Sequence, residues 1–169
     1  IQSSENPQTL EELKKILLKN RGIDDPQTFF NPPVPGKIDP EWIEFDEAQI
    51  ARAIELLLKA RDSKQKVLIF GDYDADGISA TSVLWQALHK AGWQVTPFIP
   101  DRQRHGYGLS HAALDEILAD EAEKPDLVIT VDNGIVAHDA VKRLEEAGIP
   151  VIVTDHHQPE KDSEGGVLL

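Results

Sequence analysis

Apolar residues recur along this chain in two rhythms, and the change between them falls near residue 66. Before it, Leu10, Leu13, Leu17 and Leu18 keep a helical spacing behind Thr9-Leu10-Glu11-Glu12, a capping box, so a helix is expected to end near Asn20–Gly22. Residues 1–8 read as a loose terminus. Residues 24–45 carry five prolines (Pro26, Pro32, Pro33, Pro35 and Pro40) and read as an irregular connector. Asp46 is then placed to cap a second helix, with Ile50, Ala53, Ile54, Leu57 and Leu58 on its apolar face, running to about Asp62.

From Lys66 onward short apolar runs alternate with helical patterns. Strands are expected at 66–71, 94–99, 127–131 and 150–154, and helices at 77–91, 110–122 and 136–147. Gly92 and Gly148 stand where a helix C-terminus favours glycine, and Ser110 is a suitable N-cap. Strand starts lie 23 to 33 residues apart, the size of a βαβ crossover, which predicts an α/β fold built on a parallel sheet. Two segments follow from this reading: residues 1–65, helices and connector, and residues 66–169, the sheet domain.

Polar clusters follow all four strands. The first is Gly71-Asp72-Tyr73-Asp74-Ala75-Asp76-Gly77, with carboxylates at alternate positions. Carboxylates this close repel one another unless a cation or a shared proton intervenes, and oxygen donors suit hard divalent metals. The heptad opens like an EF-hand loop, but that loop's twelfth position would be Val83 where a bidentate glutamate is required, and a strand precedes it. A dinucleotide-binding turn would need closely spaced glycines and would set acids against a pyrophosphate. Asp74-x-Asp76-Gly77 also resembles the nucleophile motif of haloacid-dehalogenase-like phosphatases, a reading that leaves the later histidines unexplained.

The second strand is followed by Asp101, Arg102, Arg104, His105 and Gly106-Tyr107-Gly108. The third leads into Asp132-Asn133-Gly134 and the fourth into Asp155-His156-His157. Each has an ordinary explanation taken alone. Asp132 would serve as a turn or cap residue, Asp72 as a buried structural carboxylate, the paired histidines and the arginines as solvated surface, and the glycines as turn formers. A parallel sheet, however, sets all four clusters on one rim, where open α/β folds bind their ligands. That convergence points to a metal site.

Composition bounds the function classes. With 169 residues the chain is long enough for a real core, and no apolar stretch approaches a transmembrane helix. Cysteine is absent, which excludes disulfides and zinc–thiolate sites and fits a cytoplasmic protein. Methionine is absent and the first residue is Ile1, so a trimmed native start is expected. The net charge of −13 argues against a protein that coats duplex DNA, yet leaves room for a nuclease whose metals and further domains supply positive charge.

Asp74-x-Asp76, Asp132-Asn133-Gly134 and Asp155-His156-His157 resemble the first motifs of the DHH phosphoesterase family. Arg102 with Gly106-Tyr107-Gly108-Leu109, Val131 to Ile135, Asn20-Arg21-Gly22-Ile23 and Phe30-Asn31-Pro32 extend the likeness over residues 10–160, toward the members that degrade single-stranded DNA. The resemblance implies a Rossmann-like parallel sheet with helices on both faces, and a 5′-to-3′ exonuclease of DNA repair and recombination. It implies two Mn²⁺ (or Mg²⁺) ions held by Asp74, Asp76, Asp132 and His156, with Asp132 bridging and His157 on the scissile phosphate. Asp72 and Asp155 would orient ligands without touching metal, and Arg102, Arg104, His105 and His157 would contact the substrate. Single-stranded DNA and a single-strand-binding protein are the implied partners of a monomer with no membrane association. Family members carry a further metal-binding aspartate and a second, substrate-gripping domain after the double histidine. The sheet domain is therefore expected to be incomplete at its C-terminus, and the 169-residue chain to be weakly active or inactive alone. Action on short oligonucleotides or cyclic dinucleotides, and a non-catalytic scaffold of replication or repair, are the alternatives.

Overall fold

The computed structural model describes residues 7–38 and 46–159; the tail at 162–169 and Pro40 lie outside them. The chain forms two compact units, residues 1–46 and 47–169.

In the first unit, α1 (Leu10–Asn20) begins at the expected capping box: the Thr9 side chain accepts from the Glu12 backbone N–H and Glu12 reaches back to that of Thr9. The proline-rich connector holds a short helix the pattern did not predict, α2 (Pro26–Phe30). Asp25 caps it, accepting from the N–H groups of Gln27 and Thr28, and Pro26 takes the first helical position, where its missing N–H costs nothing. A 3-10 turn follows at Pro35–Lys37. Neither α1 nor α2 buries a residue.

The second unit starts with α3 (Glu47–Asp62) and continues as β1 (Lys66–Phe70), α4 (Ala75–Lys90), β2 (Gln94–Phe98), α5 (Arg102–His105), α6 (His111–Leu118), β3 (Leu127–Val131), α7 (His138–Glu146) and β4 (Val151–Thr154). The sheet runs β2-β1-β3-β4, and every pair is parallel, as the strand spacing predicted. Pro97 lies in the edge strand β2, where a strand tolerates a missing N–H.

Period-two alternation in the central strands builds two cores, one on each face. Val67 and Ile69 of β1 and Leu127, Ile129 and Val131 of β3 pack with Ala60 of α3 and Leu88 of α4. Phe70 and Val128 point the other way, into Leu109, Ala113, Leu114 and Ile117 around α6 and Ala140 and Leu144 of α7. The helices therefore cover both faces. Each fully buried Leu, Ile or Phe contributes roughly 1.5–3 kcal/mol, so these two layers hold the strand ends in place.

Candidate metal centre

The strand order makes the site. From β1 the chain leaves through α4 toward β2 on one side; from β3 it leaves through α7 toward β4 on the other. The crevice between the carboxyl ends of β1 and β3 is thus a topological switch point, the place where such sheets bind ligands. Of the β1 cluster, Gly71 to Asp74 are irregular and the rest belongs to α4, which starts at Ala75. Asp74 is its N-cap and accepts from Gly77 N–H at 2.9 Å, while Asp76 lies in the first turn. The buried Asp72 accepts from Tyr73 N–H at 2.6 Å. The helix reaches this position because residue 77 is glycine: a Cβ there would stand 2.6 Å from the Asp72 Cβ and 2.8 Å from its Cα and carbonyl oxygen.

Across the crevice, Asp132 directly follows β3 and is only 8% exposed. Its φ of 62° is in the left-handed region, which Asp tolerates better than most residues. Its N–H still bonds Thr154 O at 2.9 Å, so the turn begins with the β3–β4 pairing intact. Asn133 is buried and its amide nitrogen donates to Val131 O at 2.9 Å and Phe70 O at 3.3 Å, tying the ends of β3 and β1 together. After β4, His156 Nε2 lies 2.9 Å from Asp132 Oδ1, and the rings of His156 and His157 sit 4.7 Å apart.

Two ligand groups result. Asp74, Asp76 and Asp132 bring one donor atom each to within 4.8 Å of one another, and so do Asp132, His156 and His157. Asp132 belongs to both. Burial raises its carboxyl above the usual carboxylate range, and the neighbouring Asp76 and Asp74 charges add to that against the two histidines. Asp74 sits low instead, held by the Gly77 N–H and by its contact with Asp76. A carboxylate buried against two others is costly to ionise without a cation, and oxygen donors with one or two imidazoles fit a hard divalent cation such as Mn²⁺ or Mg²⁺.

The matching family model is the N-terminal domain of the DHH family, over residues 66–168. The chain belongs to the DHH family. It is similar to the single-stranded-DNA-specific exonuclease RecJ of Bacillus subtilis, 40% identical over 115 residues that make up 68% of this chain and 14% of that protein. The RecJ of Thermus thermophilus is 38% identical over 78% of this chain and 19% of its own length, and that of Escherichia coli 33% over 94% and 26%. The chain thus spans about one seventh to one quarter of the RecJ proteins it matches. A crystal structure of exonuclease RecJ bound to manganese superposes with a TM-score of 0.59 at 41% identity, over 69% of this chain and 29% of that one. Thermus thermophilus RecJ in complex with Mn²⁺ gives 0.58 at 31% identity, over 89% and 20%. Those relatives' metals agree with the donor chemistry found here.

Within the family's Asp-His-His triplet, the two flanking residues bind each other. Asp155 Oδ1 lies 2.7 Å from His157 Nδ1 and accepts from His157 N–H at 3.1 Å, and its Oδ2 accepts from Ile135 N–H at 3.0 Å. Burial alone would raise the Asp155 carboxyl; the N–H groups of His157 and Ile135 and the His157 ring outweigh it and hold it low. The hydrogen bond and charge of Asp155 raise His157 against desolvation, favouring its protonated form. With Nδ1 engaged by Asp155, Nε2 is the ring's remaining nitrogen.

The segment after β2 divides the basic residues expected at the substrate. Arg102 lies over the Tyr73 ring, its Cζ 5.6 Å from the centroid. Arg104 turns instead to Glu116 of α6, at 2.5 Å. His105 is buried: its Nδ1 accepts from Asp101 N–H at 2.9 Å, so Nε2 carries the proton and meets Glu116 Oε2 at 3.1 Å. The ring packs on Phe98, and the His105 carbonyl accepts from Ser110, the N-cap of α6. Both ring nitrogens of His105 are therefore spent on the fold and Arg104 is in an ion pair, whereas Arg102 is the arginine of this segment turned toward the β1 heptad. Sequence patterning could not separate them, because the partner Glu116 is 11 residues from His105 and 12 from Arg104. Tyr73 and Tyr107, whose rings meet edge to face at 6.2 Å, also escaped the pattern. Desolvation and the charges of Asp72 and Asp155 push the Tyr107 hydroxyl up, which sets that side chain in the field of the rim carboxylates.

Proposed function

We propose that this chain carries the metal-binding half of a phosphodiesterase site and acts, as part of its parent protein, as a 5′-to-3′ exonuclease on single-stranded DNA in repair and recombination. The observation that supports this best is the sharing of Asp132 between the two donor groups. One carboxylate common to two cation sites is the arrangement that sets two metals a few ångströms apart. Asp74, Asp76, Asp132 and His156 would hold Mn²⁺ or Mg²⁺. When bound, the cations supply an activated water and neutralise charge on the attacked and leaving oxygens.

The chain's own residues do the rest. Asp132 would serve both cation sites. Asp155 orients His157 through Nδ1, and the protonated His157 offers Nε2–H to a non-bridging phosphate oxygen. Arg102, braced on Tyr73, is placed to contact the backbone of the strand. No covalent nucleophile is needed.

The reading is tested with single-stranded DNA labelled at either end, in Mn²⁺, on the protein carrying the remainder of the RecJ length beside its Asp132→Ala variant. Mononucleotides released first from the 5′ end, and lost in the variant, are expected. Release that persists with Asp132→Ala would sink the proposal, and a strong preference for di- or trinucleotides over long strands would move it to the short-oligonucleotide branch of the family.

A further inference from the structure

A cleft of about 360 Å³ opens beside His157, away from the carboxylates of the metal centre. Its walls come from three segments: Tyr107 and Gly108 after β2, Asn133 to Val136 after β3, and Asp155, His157 and Gln158 after β4. The volume is at the lower end of small-molecule sites, roughly 300–1,000 Å³. Ile135 and Val136 line it with apolar surface, and Val136 is 48% exposed.

Tyr107 is the distinctive wall. It is 62% exposed, yet its ring is not loose: Tyr73 meets it edge to face at 6.2 Å with planes 82° apart, and Arg102 lies over Tyr73 in turn. The segment of α5 and the turn after it, which carries Arg102 and Tyr107, is pinned by the buried His105 through Asp101 N–H and Glu116. An aromatic ring held in place and left open at the mouth of an apolar cleft is a stacking surface, and every nucleobase has a face to stack.

We propose that this cleft receives the sugar and base of one nucleotide while His157 holds that nucleotide's phosphate, with Tyr107 stacking on the base. The inference rests on the phosphodiesterase reading above and specifies how its substrate is gripped. Stacking on an aromatic face accepts any base, so recognition by Tyr107 is of a nucleoside and not of a sequence.

The test compares inorganic phosphate, deoxyadenosine and deoxyadenosine 5′-monophosphate binding to the Mn²⁺-loaded chain by calorimetry, with Tyr107→Ala and Tyr107→Phe alongside. A stacked base contributes about 1–3 kcal/mol, so the monophosphate is expected to bind roughly 5- to 150-fold tighter than phosphate. Tyr107→Ala is expected to bring that ratio close to one, and Tyr107→Phe to restore it. Thymidine 5′-monophosphate should show a preference of similar size. Equal affinity for phosphate and monophosphate, or a ratio untouched by Tyr107→Ala, overturns the nucleoside cleft and leaves the phosphodiesterase reading standing. Binding of deoxyadenosine without any binding of phosphate supports the cleft and counts against the phosphodiesterase. Absence of binding by all three probes overturns both.

Discussion

At the scale of single residues, Asp132 is where stability and function pull apart. Its raised carboxyl means that the folded chain binds this proton more tightly than the unfolded chain does. In metal-free protein, stability therefore falls as pH rises from the unfolded value of 3.8 through the raised folded value, and the penalty persists above it. Asp132→Asn removes the charge. Thermal melts in chelator near neutral pH should show the variant more stable than the parent, by about 2–4 °C for each 1 kcal/mol of repulsion relieved. In excess Mn²⁺ the order should reverse, because only the parent gains binding energy. A variant that is less stable in chelator would contradict the charge-repulsion account. Asp155 and His157 behave in the opposite sense. His157's contribution is complete below its unfolded value of 6.5 and is lost as pH rises through the raised folded value. Asp155's is complete above 3.8 and is lost as pH falls through its lowered value, so the pair stabilises most between these limits. Asp155→Asn should lower the imidazole midpoint of His157 followed by NMR; an unchanged midpoint would mean that Asp155 does not hold it.

At the scale of elements, the approach of α4 to the end of β1 decides whether the carboxylates meet. A Cβ on residue 77 would run into the backbone of Asp72, which cannot yield without moving the strand end. Gly77→Ala is expected to cost about 1–3 kcal/mol in denaturant unfolding and to abolish Mn²⁺ binding, since Asp74 and Asp76 move with the helix. Gly71→Ala tests the same interface from the strand side. Its Cβ would overlap Thr81 Oγ1 of α4, and that hydroxyl is buried without a hydrogen-bond partner among the described residues. Adding Thr81→Ala should therefore recover much of the loss, a coupling of about 1–3 kcal/mol in a double-mutant cycle. Simple additivity would show that the contact is not the cause. The short helices α2 and α5 fall below the reach of periodicity, being five and four residues long. What marked them was capping chemistry: Asp25 before Pro26, and Asp101, whose Oδ1 accepts from Gln103 and Arg104 N–H.

At the scale of the whole molecule, the four proposed ligands Asp74, Asp76, Asp132 and His156 would serve two cations, with Asp132 shared. Each hard divalent ion prefers about six donors, so water or further protein groups must complete both shells. Mn²⁺ titrated into the 169-residue chain is accordingly expected to bind saturably but weakly, with loss in Asp132→Ala and in His156→Ala. Single-stranded DNA should be digested slowly or not at all by this polypeptide. Tight binding of two ions, or fast digestion, would show that the described donors suffice. No helix among the described residues is long and apolar enough to cross a membrane.

The sequence by itself determined the parts whose information is local. Short apolar runs defined the strands, their spacing required parallel crossovers, and the alternation of Val67 and Ile69 against Leu68 and Phe70 committed β1 to cores on both faces. The four polar clusters were legible for the same reason, since any parallel sheet gathers its carboxyl ends on one edge. Strand order was not legible, and only tertiary structure set β1 beside β3 and so made Asp132 common to both donor groups. The division of labour among similar residues was decided there too. Arg102, Arg104 and His105 look alike in sequence, and it is the packing of α6 that commits two of them to Glu116 and leaves one turned toward the heptad. The Tyr107 cleft has no local signature because its walls come from loops after different strands. Contacts between residues far apart in the chain depend on how the sheet is wound, and winding is a property of the packed molecule as a whole.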